Sequence, residues 1–203
     1  LEGANLNRVF RLNLPDDALA IREATDHGDV KRAVLIGGGL IGLETAEALA
    51  TRGIQVTLVE MLDQLLPAML DWEVAAFLEK YLRGRGLDIR LGQKVTSIEG
   101  DGNGNVARVH TTGGAIEAQM VLVAIGVRPN VQLAKGAGLT LGPTGAIAVN
   151  SQLQTSDPDI FALGECIEHD GKVYGLVDPI WEQARVLADV ITGAEPQAAY
   201  HGS

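Results

Sequence analysis

The feature that most constrains this chain is a glycine turn set between two kinds of regular structure. The run RAVLI (32–36) is short and apolar, the mark of a buried strand, and it leads directly into Gly37-Gly38-Gly39-Leu40-Ile41-Gly42. A helical stretch follows from 40 to 52 and stops at Gly53, and IQVTLV (54–59) then reads as a second strand ending in Glu60. A bare G-x-G-x-x-G match says little, but a strand before it, a helix after it and an acid at the end of the next strand make it specific. Each glycine has a task. Gly37 permits the tight turn off the strand, Gly39 lets a ligand approach the backbone, and Gly42 lets the helix pack on the strand. The helix start, with Leu40 and Ile41, offers unpaired N–H groups and a positive dipole end that suit a dinucleotide pyrophosphate. Glu60 stands where a carboxylate would hold the adenine ribose hydroxyls, about 20 residues on from the turn. The alternatives are a plain strand–turn–helix and a solvated glutamate.

The rest of the chain extends this unit and then departs from it. Residues 16–26 read as a helix ended by Gly28. Residues 71–83 form another, with Val74, Phe77, Leu78, Tyr81 and Leu82 recurring at helical spacing, Asp71 as N-cap and Gly84 or Gly86 as stop. A strand is expected near 87–90. Residues 93–99, 106–112 and 115–124 then read as strands with no room for helices, and GDGNGN (100–105) joins the first pair as a hairpin. MVLVAIG (120–126) returns to the parallel sheet. The expected fold is α/β: a Rossmann-like, doubly wound parallel sheet with an inserted antiparallel β-meander. Its domain spans 1–126. AIGVRPN (124–130) marks a boundary, beyond which come extended pieces at 146–149 and 159–163 and a helix at 180–192 ending at Gly193. Residues 127–203 cannot cover their own apolar faces and read as part of a second domain.

Composition narrows the function. A formal net charge of −10 argues against nucleic-acid or anionic-membrane binding. No apolar stretch approaches the roughly 20 residues of a membrane span, and no secretory signal opens the chain. The single Cys166 excludes an internal disulfide and a two-cysteine redox centre, which fits a reducing, cytoplasmic setting. It reads better as a small buried hydrophobe than as a redox group. His27, His110, His169 and His201 are scattered, so no metal site is expected.

Three ordered segments, GGGLIGLETA (37–46), AIGVRPN (124–130) and TSDPDIFALGEC (155–166), resemble the pyridine nucleotide–disulfide oxidoreductase superfamily, flavoproteins with two dinucleotide-binding domains. The stretch 164–193 is most similar to the FAD/NAD portion of NAD(P)H-dependent nitrite reductase large subunits, with rubredoxin- and ferredoxin-reductase-type enzymes next. The resemblance implies that Gly37, Gly38, Gly39, Leu40, Ile41 and Gly42 hold the NAD pyrophosphate and Glu60 the adenosine ribose. It puts Glu44 beside the nicotinamide and flavin edge, as the candidate catalytic residue. It sets Gly126 near the nicotinamide nucleotide, and Gly164 and Glu165 at the FAD ribitol. Most of the family has Asp at the position of Glu165, one methylene shorter.

The first FAD-binding glycine loop of the superfamily, its C-terminal interface domain and any siroheme or cluster segment are not found in this sequence, which therefore reads as a central portion of a larger flavoenzyme. The expected role is an NADH-binding module in an FAD-dependent NAD(P)H oxidoreductase. Hydride would pass from NADH to FAD, and electrons on to a downstream acceptor bound with the remainder of the parent enzyme. A rubredoxin- or ferredoxin-reductase component and a non-catalytic nucleotide-binding module are the alternatives. With no Arg beside Glu60-Met61-Leu62-Asp63, NADH is expected to bind more tightly than NADPH.

Overall fold

A computed structural model describes residues 1–202. The chain divides into two compact units, Leu1–Gly126 and Val127–Ser203.

The first unit runs β1 (Val9–Phe10), α1 (Pro15–Asp26), β2 (Arg32–Ile36), α2 (Leu40–Thr51), β3 (Gln55–Val59), α3 (Trp72–Gly84), β4 (Asp88–Arg90), β5 (Val95–Gly100), β6 (Val106–Thr111), β7 (Gly114–Glu117) and β8 (Met120–Val123). Strands in the order β1-β8-β2-β3-β4 form one sheet in which every neighbouring pair is parallel. Parallel strands buried on both faces read as unbroken apolar runs, and alternate residues of β2 point to opposite layers. Ala33 and Leu35 join Val56, Leu58, Met120 and Leu122 against Ile21 of α1, Leu43, Ala46 and Leu49 of α2, and Leu82 of α3. Val34 and Ile36 join Val59 and Val121 against Ile98, Val106, Val109 and Ile116 of β5–β7, which form an antiparallel sheet of their own. The Rossmann-like sheet with its inserted meander is thus a three-layer structure. Helices cover one face and the meander covers the other.

Two local expectations change. The single strand over 115–124 divides at Ala118–Gln119, because β7 pairs antiparallel with β6 while β8 pairs parallel with β2. Ala118 is buried between the sheets, and the Gln119 side chain accepts from the Lys31 and Arg32 backbone N–H groups at 2.7 and 3.2 Å, which fixes the crossing. In α3 the Asp71 side chain caps the Val74 N–H at 2.9 Å as expected. The helix, however, buries Ala75 and Leu82 and leaves Phe77 72% exposed, with Val74 and Tyr81 also outside. Periodicity marks an apolar stripe. The edge of the stripe that meets the core carries Leu82 and the partly buried Leu78.

The second unit holds α4 (Gln132–Gly136), β9 (Ile147–Ala148), β10 (Ile167–Glu168) and α5 (Val177–Thr192), with β9 and β10 parallel. Residues 159–163 form no strand and make only an isolated bridge from Phe161 to Gln154. Helix α5 starts earlier than expected, tolerating Pro179 in its first turn, and ends at Gly193 in the left-handed region. Leu153, Ile167, Tyr174 and Tyr200 make its core. Among the described residues no helix is long and apolar enough to cross a membrane, and no group of three or more His, Cys, Asp or Glu could hold a metal ion.

Candidate nucleotide site

The site grows from the point where β2, β3 and β8 end together. Gly37 donates to the Val59 carbonyl at 2.8 Å and sits at φ +113°, and a Cβ there would lie 2.3 Å from the Ala124 carbonyl oxygen. Only glycine accommodates both the angle and the approach. Gly42 packs equally tightly: its Cβ would stand 2.1 Å from the Gly37 carbonyl oxygen, so α2 leaves directly over the turn. Gly39 is the opposite case. No protein atom lies within 4 Å of where its Cβ would be, and no side chain caps α2. The first N–H groups of a helix need partners from outside it. Here they face open space.

Glu60 closes one end. Its carboxylate accepts from the Gly38 N–H at 2.6 Å and the Leu62 N–H at 2.8 Å, one bond to each oxygen. Charge-assisted bonds of this kind are short and directional. They hold the carboxylate in one place while leaving lone pairs free on both oxygens. Gly38 lies beneath the turn, against Leu65 and the Glu60 stem, and its carbonyl accepts from the Leu66 N–H at 3.0 Å.

A cavity of about 620 Å³ opens beside these groups, lined by Gly37, Gly39, Leu40, Glu60, Ile125 and Gly126 among others. Met61, Leu62, Leu66 and Met69 make an apolar wall next to Glu60. The size is that of a small-molecule site. An accepting carboxylate on one side and donating helix N–H groups on the other match a ligand with a diol at one end and a diphosphate in the middle.

The structure does not gather every predicted residue. Gly38, Ile41 and Gly42 shape the turn without lining the cavity. Glu44 lines a separate groove with Leu12, Ala18, Ile21, Arg22 and Arg52. It stands one turn along α2, about 6 Å beyond the helix start, where α1 lies alongside. Gly164 and Glu165 belong to the second unit. Gly164, at φ +94°, donates to the fully buried Gln183 side chain of α5 at 2.8 Å, and Glu165 is exposed beside it. Cys166 is half-buried there, and burial pushes its thiol up from the ordinary value, which disfavours the nucleophilic thiolate. Sequence reasoning missed Lys94, which lines the cavity from the connection after β4. No local signal marks it, because it comes to the cavity only through the pairing of β4 with β3.

The model of the pyridine nucleotide-disulphide oxidoreductase family matches residues 1–189. The chain belongs to that family. It is 42% identical over 168 residues to the NAD(P)H sulfur oxidoreductase (CoA-dependent) of Pyrococcus furiosus, covering 83% of this chain and 37% of the relative. It is 39% identical over 173 residues to the nitrite reductase [NAD(P)H] of Bacillus subtilis, covering 85% of this chain and 21% of the relative. The NAD-dependent persulfide reductase from A. fulgidus superposes with a TM-score of 0.89 at 39% identity, over 95% of this chain and 37% of that one. The chain thus spans well under half the length of these family members.

Proposed function

We propose that this chain is the nucleotide-binding portion of an FAD-dependent NAD(P)H oxidoreductase, with residues 1–126 as the NAD(H) domain and 127–203 as part of the FAD domain. The observation that carries the reading is the cavity at the glycine turn, with a fixed carboxylate at one end and uncapped helix N–H groups at its centre. In this reading the α2 N–H groups bind the pyrophosphate across Gly39. Glu60 accepts from the two hydroxyls of the adenosine ribose, and the apolar wall of Met61, Leu62, Leu66 and Met69 takes the flat base. Gly126 lies at the rim of the same cavity, toward the nicotinamide end. When bound, nicotinamide and flavin supply the hydride chemistry themselves. The chain's residues position the rings and keep water out. Glu44 is the carboxylate assigned to the nicotinamide side on the family resemblance. For FAD the chain contributes one turn, Gly164–Glu165, tied to α5 by Gln183 and offering an exposed carboxylate to a polyol. Nitrite reductase-type enzymes are the parents we favour, on the resemblance of 164–193 to their FAD/NAD portion, and the B. subtilis protein is one such relative.

The test is calorimetric titration of the 203-residue chain and its Glu60→Ala variant with NADH and NADPH at one salt concentration. A 2′-phosphate would meet the Glu60 charge at about 4 Å, and the two backbone bonds prevent the carboxylate from swinging away, so NADH is expected to bind at least about tenfold more tightly. Glu60→Ala is expected to weaken NADH and narrow the gap. Absence of binding by either nucleotide, or equal affinities that ignore Glu60→Ala, would overturn the reading.

A further inference from the structure

We propose that Lys94 forms, with the end of β3, a subsite for the 2′-phosphate of NADP-type nucleotides, so that the cavity excludes NADPH less completely than Glu60 alone would. The inference rests on the nucleotide reading of the cavity and adds a second charge to it. Lys94 is the one cation among the described residues that line the cavity. Its backbone is held on both sides: the Gln93 N–H donates to the Glu60 carbonyl at 3.0 Å, the Lys94 N–H to the Thr112 hydroxyl at 3.1 Å, and the Thr112 N–H to the Lys94 carbonyl at 2.9 Å. The segment that carries Lys94 is therefore tied by its backbone to the residue that receives the ribose, and a flexible four-carbon stem extends from it.

The charge is also unspent. Arg83, Arg90 and Arg108, cations on neighbouring elements, pair with Glu79, Asp88 and Glu99 at 2.8, 3.1 and 3.2 Å. Lys94 has no carboxylate within 4.0 Å among the described residues. On a chain of net charge −10 a free ammonium on a cavity lip is the group that an added phosphate would seek. Two opposite charges then flank one ribose. The carboxylate accepts from its hydroxyls, and the ammonium donates to a phosphate on the same ring. A lysine offers a flexible point charge rather than a fork. Its contribution adapts to a phosphate displaced by Glu60, and because Lys94 is exposed it is screened by salt.

The experiment isolates the phosphate by titrating 2′,5′-ADP and 5′-AMP into wild type, Lys94→Gln, Glu60→Ala and the double variant. Lys94→Gln is expected to weaken 2′,5′-ADP about fivefold more than 5′-AMP, the scale of a charge-assisted contact at an exposed site. The excess should persist in the Glu60→Ala background and shrink at high salt. A structural role for Lys94 would move both ligands together, and that result, or no change in either, overturns the subsite while leaving the Glu60 reading intact. Failure of wild type to bind either ligand overturns both.

Discussion

The two units of this chain are stabilised by different means. The larger core cluster of the first unit gathers sixteen buried apolar residues on one face of a five-stranded sheet, and its strands and helices supply most of the backbone pairing. The cluster of the second unit has four, and that unit relies on bonds between segments far apart in sequence. Tyr200 N–H donates to the Ser151 carbonyl at 2.7 Å, the Gln152 amide to the Pro196 carbonyl at 2.7 Å, and the Thr144 N–H to buried Glu168 at 2.8 Å. A layered core spreads its energy over many contacts. A small core with directed bonds concentrates it in a few residues, so a single change there should matter more.

Tyr200 tests the concentrated end. It is fully buried, packs edge-on against Tyr174 with ring centroids 5.3 Å apart and lies 5.2 Å from the His169 ring. Tyr200→Ala is expected to cost about 3–5 kcal/mol, as aromatic truncations in cores do, read as faster hydrogen exchange in peptides of the second unit. Leu58→Ala in the first unit is expected to cost about 3 kcal/mol, since its neighbours in a sixteen-residue cluster can partly close the cavity. If Leu58→Ala proved the more damaging in chemical denaturation, the contrast would be wrong. Asp71→Ala removes only the cap of α3 and is expected to cost about 1 kcal/mol, measured as earlier fraying of residues 72–75 by exchange.

Changing the pH should separate the units with smaller effects. In the first unit, the hydrogen bond from His110 holds Glu99 below the usual carboxylate range, that from Arg8 does the same for Asp29, and the Asn13 and Leu14 N–H groups for Asp17. A carboxylate with a lowered folded value adds stability above its unfolded value of about 4 and loses it as the pH falls through the folded value. In the second unit, burial pushes the Tyr174 hydroxyl up. A raised phenol adds stability below its unfolded value of about 10 and loses it as the pH climbs through the folded one. Exchange monitored at both extremes should therefore show the first unit loosening first in acid and the second first in alkali. The reverse order would break the comparison.

Much of the first unit was legible because its signals are local. The β2 run, the glycine turn, the α2 stop and Glu60 lie within thirty residues, and each follows from the period or the φ requirement of one element. Asp71 was readable as a cap for the same reason. The division of 115–124 into β7 and β8 was not, since no turn residue breaks the run and only the change of pairing partner at Gln119 separates the halves. Nor was the outward turn of Phe77, because a helical stripe does not say which of its edges the sheet will take.

The sequence by itself determined the α/β class, the glycine turn and the acid that faces it, because short-range sterics and hydrogen bonding dictate each. Only the tertiary structure decided what meets at that turn. The Gly38 and Leu62 N–H groups fix the Glu60 carboxylate, the Ala124 carbonyl demands a glycine at 37, Glu44 falls in a different groove, and Lys94 arrives from beyond β4. These are encounters between segments that no local pattern links, and they form because parallel strands bring together ends that are distant along the chain.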